Sequence, residues 1–255
     1  MTDVRTRRLL AIETVVVVAL AVGLSAARSV LAFTGALLAP GGLRSQQATL
    51  NGSQSANPWV DLGLQLSSVL RLLLPVMVVL VIVSLRGEQL RDIGLRADRW
   101  RRDLGVGAGA AALVGGIGLT AYLISYAAGG SLAVVPTTLP DVWWRIPVLV
   151  LSATANAALE EIVLVGYLVR RSEQLGWSPA RAVATSGLIR GCYHLYQGVA
   201  GLLGNLVLGM VFARYFQRSG RVLPLIAAHT FIDVVAFCGY VLLAGHVSWL
   251  PVPVR

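Results

Sequence analysis

Seven times along its length the chain runs apolar for close to twenty residues, and the breaks between runs are filled alternately with arginines and with uncharged polar residues. About 20 mostly apolar residues is the length an α-helix needs to cross a bilayer. The composition agrees: 13% of the 255 residues are charged, 56% are hydrophobic, and mean hydropathy is +0.74, whereas soluble domains carry about 25% charged residues. The fold class expected is all-α, a polytopic transmembrane helical bundle.

The apolar runs fall at residues 9–32, 64–85, 104–127, 144–169, 180–196, 202–216 and 222–244. An eighth helix would arise over 30–38 if the first run broke near Arg28. The fifth and sixth runs are short and joined through Gln197 and Gly198, which suggests a tilted pair or a hairpin. Arginines crowd the N-terminus and segments 86–103, 170–181 and 214–221, and thin out in 39–61, 129–141 and the tail. Under the positive-inside rule that alternation sets the N-terminus in the cytoplasm and the C-terminus outside, as seven spans require. Arg5, Arg7 and Arg8 followed by an apolar run resemble a signal peptide, but Glu13 interrupts the run, and a retained first span is expected.

The chain divides into N-terminal spans and connector (1–143), a core of spans (144–245) and a short tail (246–255). Segment 85–103 has a weak helical period (Leu90, Ile93, Leu95) and reads as an amphipathic connector lying at the interface. Segment 39–61, rich in Ser, Gln, Asn and Gly, reads as a flexible external loop. The net charge of +9 comes from arginines set between apolar runs, so the partners it implies are membrane lipids and not nucleic acid. All 21 basic residues are arginine, which hints at a GC-rich bacterial genome and hence a multi-pass protein of the bacterial cytoplasmic membrane.

Within this apolar chain a few polar groups sit at expensive depths. Glu160 and Glu161 are adjacent in the fourth run, and a charged acid at the centre of a membrane helix costs roughly 2.5–3.5 kcal/mol on insertion scales. At 100° per residue the two carboxylates point apart, so one can face a cavity while the other makes supporting contacts, with Asn156 one turn before Glu160 on the same face. Arg190 and His194 are spaced i, i+4 in the fifth run, and His229 and Asp233 likewise in the seventh. Counting helical rise from the arginine-rich ends places Glu160, Arg190 and Asp233 all about 15 Å deep. Asn205 in the sixth run is a further candidate supporting residue, and Arg71 in the second is expected to snorkel or pair within the bundle. A buried carboxylate with two imidazoles and a second acid can activate water, hold a metal or relay a proton. Cys192 and His194, two residues apart, face opposite sides of a helix, which excludes a thiol mechanism.

These residues resemble the CPBP family of intramembrane proteases (also called Abi or CAAX-protease-like). Its pattern is Glu-Glu-x-x-x-Arg-Gly, then Phe-x-x-x-His, then His-x-x-x-Asn or Asp on successive spans. Glu160 to Gly166, Arg190 to His194 and His229 to Asp233 match it in order and spacing over about the last hundred residues. Val165 stands where the family has Arg, and Arg190 stands where it has an aromatic residue, so Arg190 is expected to supply the missing guanidinium by pairing with Glu161.

The resemblance implies an intramembrane endopeptidase acting on a membrane-associated protein or peptide. Glu160, supported by Glu161, would activate water, and His194, His229 and Asp233 would position that water or the oxyanion. If a metal such as Zn2+ takes part, His194, His229 and Glu160 are the ligands expected, although no His-Glu-x-x-His helix is present. A cavity opening towards the cytoplasm would admit the substrate. A non-catalytic relative that binds a membrane peptide or partner is the alternative, and a proton-coupled transporter is disfavoured by the lack of paired broken spans.

Overall fold

The computed structural model describes residues 4–128 and 131–250, with Arg44 described by its backbone alone. Among these residues the bundle consists of seven helices: α1 (Val4–Leu38), α2 (Pro58–Leu85), α3 (Trp100–Ala127), α4 (Arg145–Gln174), α5 (Pro179–Tyr193), α6 (Val199–Ser219) and α7 (Leu223–Leu243). Six of them are long and apolar enough to cross a membrane. The exception is α5: its 15 residues rise about 22 Å, short of the roughly 30 Å hydrocarbon core. The first run does not break at Arg28, so no eighth helix forms; α1 continues to Leu38 through a π-turn at Ala19–Gly23.

Local chemistry sets the ends. Asn57 accepts bonds from the Trp59 and Val60 amides ahead of α2, with Pro58 at its first position. Ser178 accepts from the Arg181 amide and Pro179 opens α5 in the same way. The α5–α6 pair is the hairpin expected from its sequence, turned through Leu195–Gln197 and Gly198 (φ 92°). Gly187 lets the two helices meet: a Cβ there would lie 2.5 Å from Met210 Cγ and 2.8 Å from the Leu206 carbonyl oxygen.

One connection departs from expectation. Segment 39–61 is ordered into a 3-10 turn (Gly42–Ser45) and strand β1 (Gln47–Asn51), which pairs in parallel with β2 (Ala133–Thr137), Gln47 opposite Ala133 and Asn51 opposite Thr137. This two-stranded ribbon is the one β-sheet among the described residues of an otherwise helical fold. The 86–99 connector is mostly exposed, with a single turn (Leu90–Ile93) that docks on the bundle through the fully buried Ile93, and the Gly94 carbonyl accepts from the Val222 amide. Gly166 makes room for it, since a Cβ there would collide with the Ile93 carbonyl oxygen.

The arginine-rich face is tied by ion pairs. Glu13 accepts a bond from Tyr167 Oη at 2.8 Å and pairs with Arg171 at 3.2 Å and with Arg86. Arg171 is fully buried and reaches Glu88 at 2.7 Å. Arg221 joins Asp103 at 2.6 Å and Asp98 at 2.9 Å. Apolar clusters built on Val79, Val83, Val163 and Leu164 and on Val165, Phe212, Phe216 and Val222 fill the interior behind these pairs.

Candidate active site

The helix carrying the two glutamates is not a regular α-helix at that point. Glu160–Tyr167 is a π-helical segment, and its i→i+5 bonding turns the chain less per residue than an α-helix does. Adjacent side chains then diverge less, which lets both carboxylates reach one cation. Arg190, on α5, is that cation: Nη2 lies 2.8 Å from Glu160 Oε2 and Nη1 lies 2.8 Å from Glu161 Oε1. All three side chains are buried, at 1%, 0% and 1% exposure for Glu160, Glu161 and Arg190. The guanidinium also lies over the Phe212 ring, 5.4 Å from its centroid. The pairing of Arg190 with Glu161 is as expected from the sequence, and Glu160 joins it. Val165 packs with Val169, Phe212 and Val222 in an apolar cluster, so no cation is provided from that position.

The histidines come from the C-terminal end of α5 and from α7. His229 Nδ1 lies 2.9 Å from Glu161 Oε1 and 2.9 Å from Arg190 Nη2. Its Nε2 is 3.5 Å from Asp233 Oδ2, and the Asn156 amide nitrogen spans the two, at 3.3 Å from Asp233 and 3.5 Å from His229. His194 Nδ1 lies 2.9 Å from the Arg190 carbonyl oxygen, which can only accept, so Nδ1 carries the hydrogen and Nε2 presents its lone pair when the ring is neutral. That Nε2 is 3.9 Å from Glu160 Oε1. The separation is too long for a direct bond and suits one bridging water.

Glu160, His194, His229, Asp233 and Asn156 line a cavity of about 1890 Å³, while Glu161 stands behind it against Arg190. One carboxylate thus faces the cavity and its neighbour supports it. Asn205 also lines the cavity, but its amide donates to the Gly201 carbonyl on its own helix and makes no bond to the acidic group. Arg28 and Arg71 line it too, and neither has an ion-pair partner among the described residues; Arg71 projects into this space rather than pairing within the bundle. Tyr193 is a site residue that lies outside the residues the sequence motif specifies. It is 8% exposed, its ring centroid lies 4.5 Å from that of His194, and it borders the cavity beside Glu160. Its adjacency to His194 was the available signal. Ser186 donates to the Leu164 carbonyl at 2.7 Å, within the π segment, which gives its hydroxyl a structural partner.

The expected opening towards the arginine-rich side is not what the cavity shows. Its α4 lining is Ser152, Asn156, Leu159 and Glu160, all on the side of the β ribbon, and nothing from 161–174 contributes. The reason is packing: every residue from Leu159 to Val169 is buried.

Ligand atoms of Glu160, Glu161 and His229 lie within 4.8 Å of one another, and His194 stands outside that trio. Arg190 nitrogens lie 2.8, 2.8 and 2.9 Å from atoms of these same three residues. A divalent cation set among them would face a buried guanidinium at close range, and like charges in a medium of low dielectric repel strongly. The trio does not fit Zn2+.

In comparisons with known proteins, no curated protein and no solved structure matches the chain. A family model does match, over the segment that carries Glu160, Arg190, His194, His229 and Asp233. Residues 142–235 are similar to the Rce1-like family, described as type II CAAX prenyl endopeptidase Rce1-like.

Proposed function

We propose that this protein is an intramembrane endopeptidase that hydrolyses a peptide bond of a membrane-associated protein or peptide with a glutamate-activated water. The observation that carries the reading is the 3.9 Å gap between Glu160 Oε1 and His194 Nε2 at the cavity wall. Both atoms are acceptors, so a water held between them turns its two hydrogens toward the protein and its lone pairs into the cavity. That is the orientation a nucleophile needs beside a scissile carbonyl.

Arg190 fixes the Glu160 carboxylate through Oε2 and leaves Oε1 for the water. As the water oxygen bonds to the carbonyl carbon, Glu160 takes its proton and negative charge moves to the carbonyl oxygen. Tyr193 and the Asn156–His229–Asp233 group border the space where that charge develops. When the tetrahedral species collapses, the C–N bond breaks, the nitrogen takes the proton from Glu160, and a carboxyl product and an amine leave. No metal enters these steps.

The reading is tested with the purified full-length protein and a library of quenched fluorescent peptides in lipid nanodiscs. Turnover by the wild-type protein and its loss in Glu160→Gln, at equal folded yield, is expected. Equal turnover by both proteins would contradict it.

A further inference from the structure

The cavity has a direction. In α1 its lining begins at Leu20, in α2 it stops at Leu72, in α6 it stops at Val211, and in α7 it begins at His229. Each of these limits leaves the arginine-rich end of the helix out and the opposite half in. At the far end the lining passes into the connections of that face, through Asn51 to Gln54 on one side of the ribbon, Val134 and Pro136 on the other, and Trp249 after α7.

Between the acidic group and the arginine-rich face lies a plug. The nine residues that follow Glu160, 161–169, are all buried, and none of them lines the cavity. The Ile93 turn packs on Gly166, and Gly107 packs on α7, where a Cβ would lie 2.6 Å from Ala227 Cβ. The Arg171–Glu88 and Arg221–Asp103 pairs close the surface over it. By contrast Gly116, Gly204 and Gly239, all lining the cavity, have no atom within 4 Å of where a Cβ would sit. Behind Glu160 these contacts fill the space around α4, and in front of it lies the cavity.

Arginine-rich loops stay in the cytoplasm, and here they lie on the sealed face. We propose that the substrate reaches Glu160 from the extracytoplasmic side. The peptide it acts on is then the exported or outward-facing segment of a membrane-associated protein, not a cytoplasmic tail. Calling that peptide a substrate rests on the hydrolytic reading above; the side of access does not.

Thiol labelling tests the side of access without reading hydrolysis. Cys192 and Cys238 are first replaced by Ser. Gly204→Cys on α6 and Gly239→Cys on α7 then place single thiols in the cavity lining, where there is room for them. Ala180→Cys, at the exposed start of α5, marks the arginine-rich face. The full-length variants are treated in intact cells with a charged, membrane-impermeant maleimide, and again after permeabilisation. The proposal expects Gly204→Cys and Gly239→Cys to label equally in both conditions, and Ala180→Cys to label only after permeabilisation. Three results would overturn it: labelling of the cavity variants only after permeabilisation, their failure to label in either condition, or labelling of Ala180→Cys in intact cells.

Discussion

Arg190 and Glu161 are joined across two helices by a 2.8 Å ion pair in which neither side chain has more than 1% exposure, and the same guanidinium reaches Glu160 at 2.8 Å. One cation therefore balances two carboxylates buried in the membrane interior. Removing one partner of a buried pair costs about 3–5 kcal/mol, because the charge left behind is uncompensated. Arg190→Gln is expected to lower stability on that scale, and Arg190→Lys to recover part of it, since a point charge does not fork to two carboxylates. Thermal unfolding of the detergent-solubilised full-length chain measures both; an unchanged midpoint in Arg190→Gln would contradict the assignment.

Exchanging the charges, Arg190→Glu together with Glu161→Arg, is expected to restore folding only in part. The new carboxylate on α5 would lie beside Glu160, which keeps its own charge. Adding Glu160→Gln to the exchange removes that repulsion and is expected to raise the midpoint further. A full rescue by the double exchange alone would show that Glu160 does not depend on Arg190.

His194 holds its ring through Nδ1 and the Arg190 carbonyl, and presents Nε2 to the water site. His194→Gln is expected to lower kcat by about 100- to 10,000-fold, the usual contribution of a positioned acid–base group, with little change in unfolding midpoint. The wild-type kcat in this variant would remove His194 from the water site.

Gly166 sits where the Ile93 turn crosses α4. Gly166→Val forces that turn outward, and overpacking of this kind costs about 1–3 kcal/mol. Reduced folded yield and faster proteolysis within residues 86–99 are expected. An unchanged digestion pattern would mean that the connector is not seated there.

On the arginine-rich face, the hydrogen bond from Arg221 holds the Asp98 carboxyl below its ordinary value of 3.8, with the Arg221 and Arg96 charges adding to the effect. A depressed carboxylate contributes stability that is complete above its unfolded value and fades as pH falls through the folded one. Hydrogen exchange in segment 94–103 is therefore expected to speed up as pH falls from 5 to 3, after correction for intrinsic exchange. In Arg221→Gln the segment should already exchange fast at pH 5. An acid response as large in Arg221→Gln as in the wild type would contradict this.

The parts of this structure legible in the sequence were those with a period or a cost. Apolar run length marked the helices, and the price of burying Glu160, Arg190 and His229 marked the residues that would be found together. Length alone did not reveal that α1 runs unbroken past Arg28, since an arginine near a helix end is compatible with either outcome. The ribbon was hidden because Gln47–Asn51 and Ala133–Thr137 are short, far apart in sequence and paired only by tertiary contact. The direction of the cavity was hidden for a different reason: the side chains that seal α4 are as apolar as those that would face lipid. Only packing tells Val163 and Leu164, fully buried, from Val150 and Leu151, exposed on the same helix.

The most direct test of the central claim compares the termini of membrane-associated proteins, by mass spectrometry, between cells making the wild-type protein and cells making Glu160→Gln at equal levels. New peptide ends that appear only with the wild type are the expected result, and they would name the substrate and its scissile bond. Identical termini in the two would contradict a proteolytic role for Glu160.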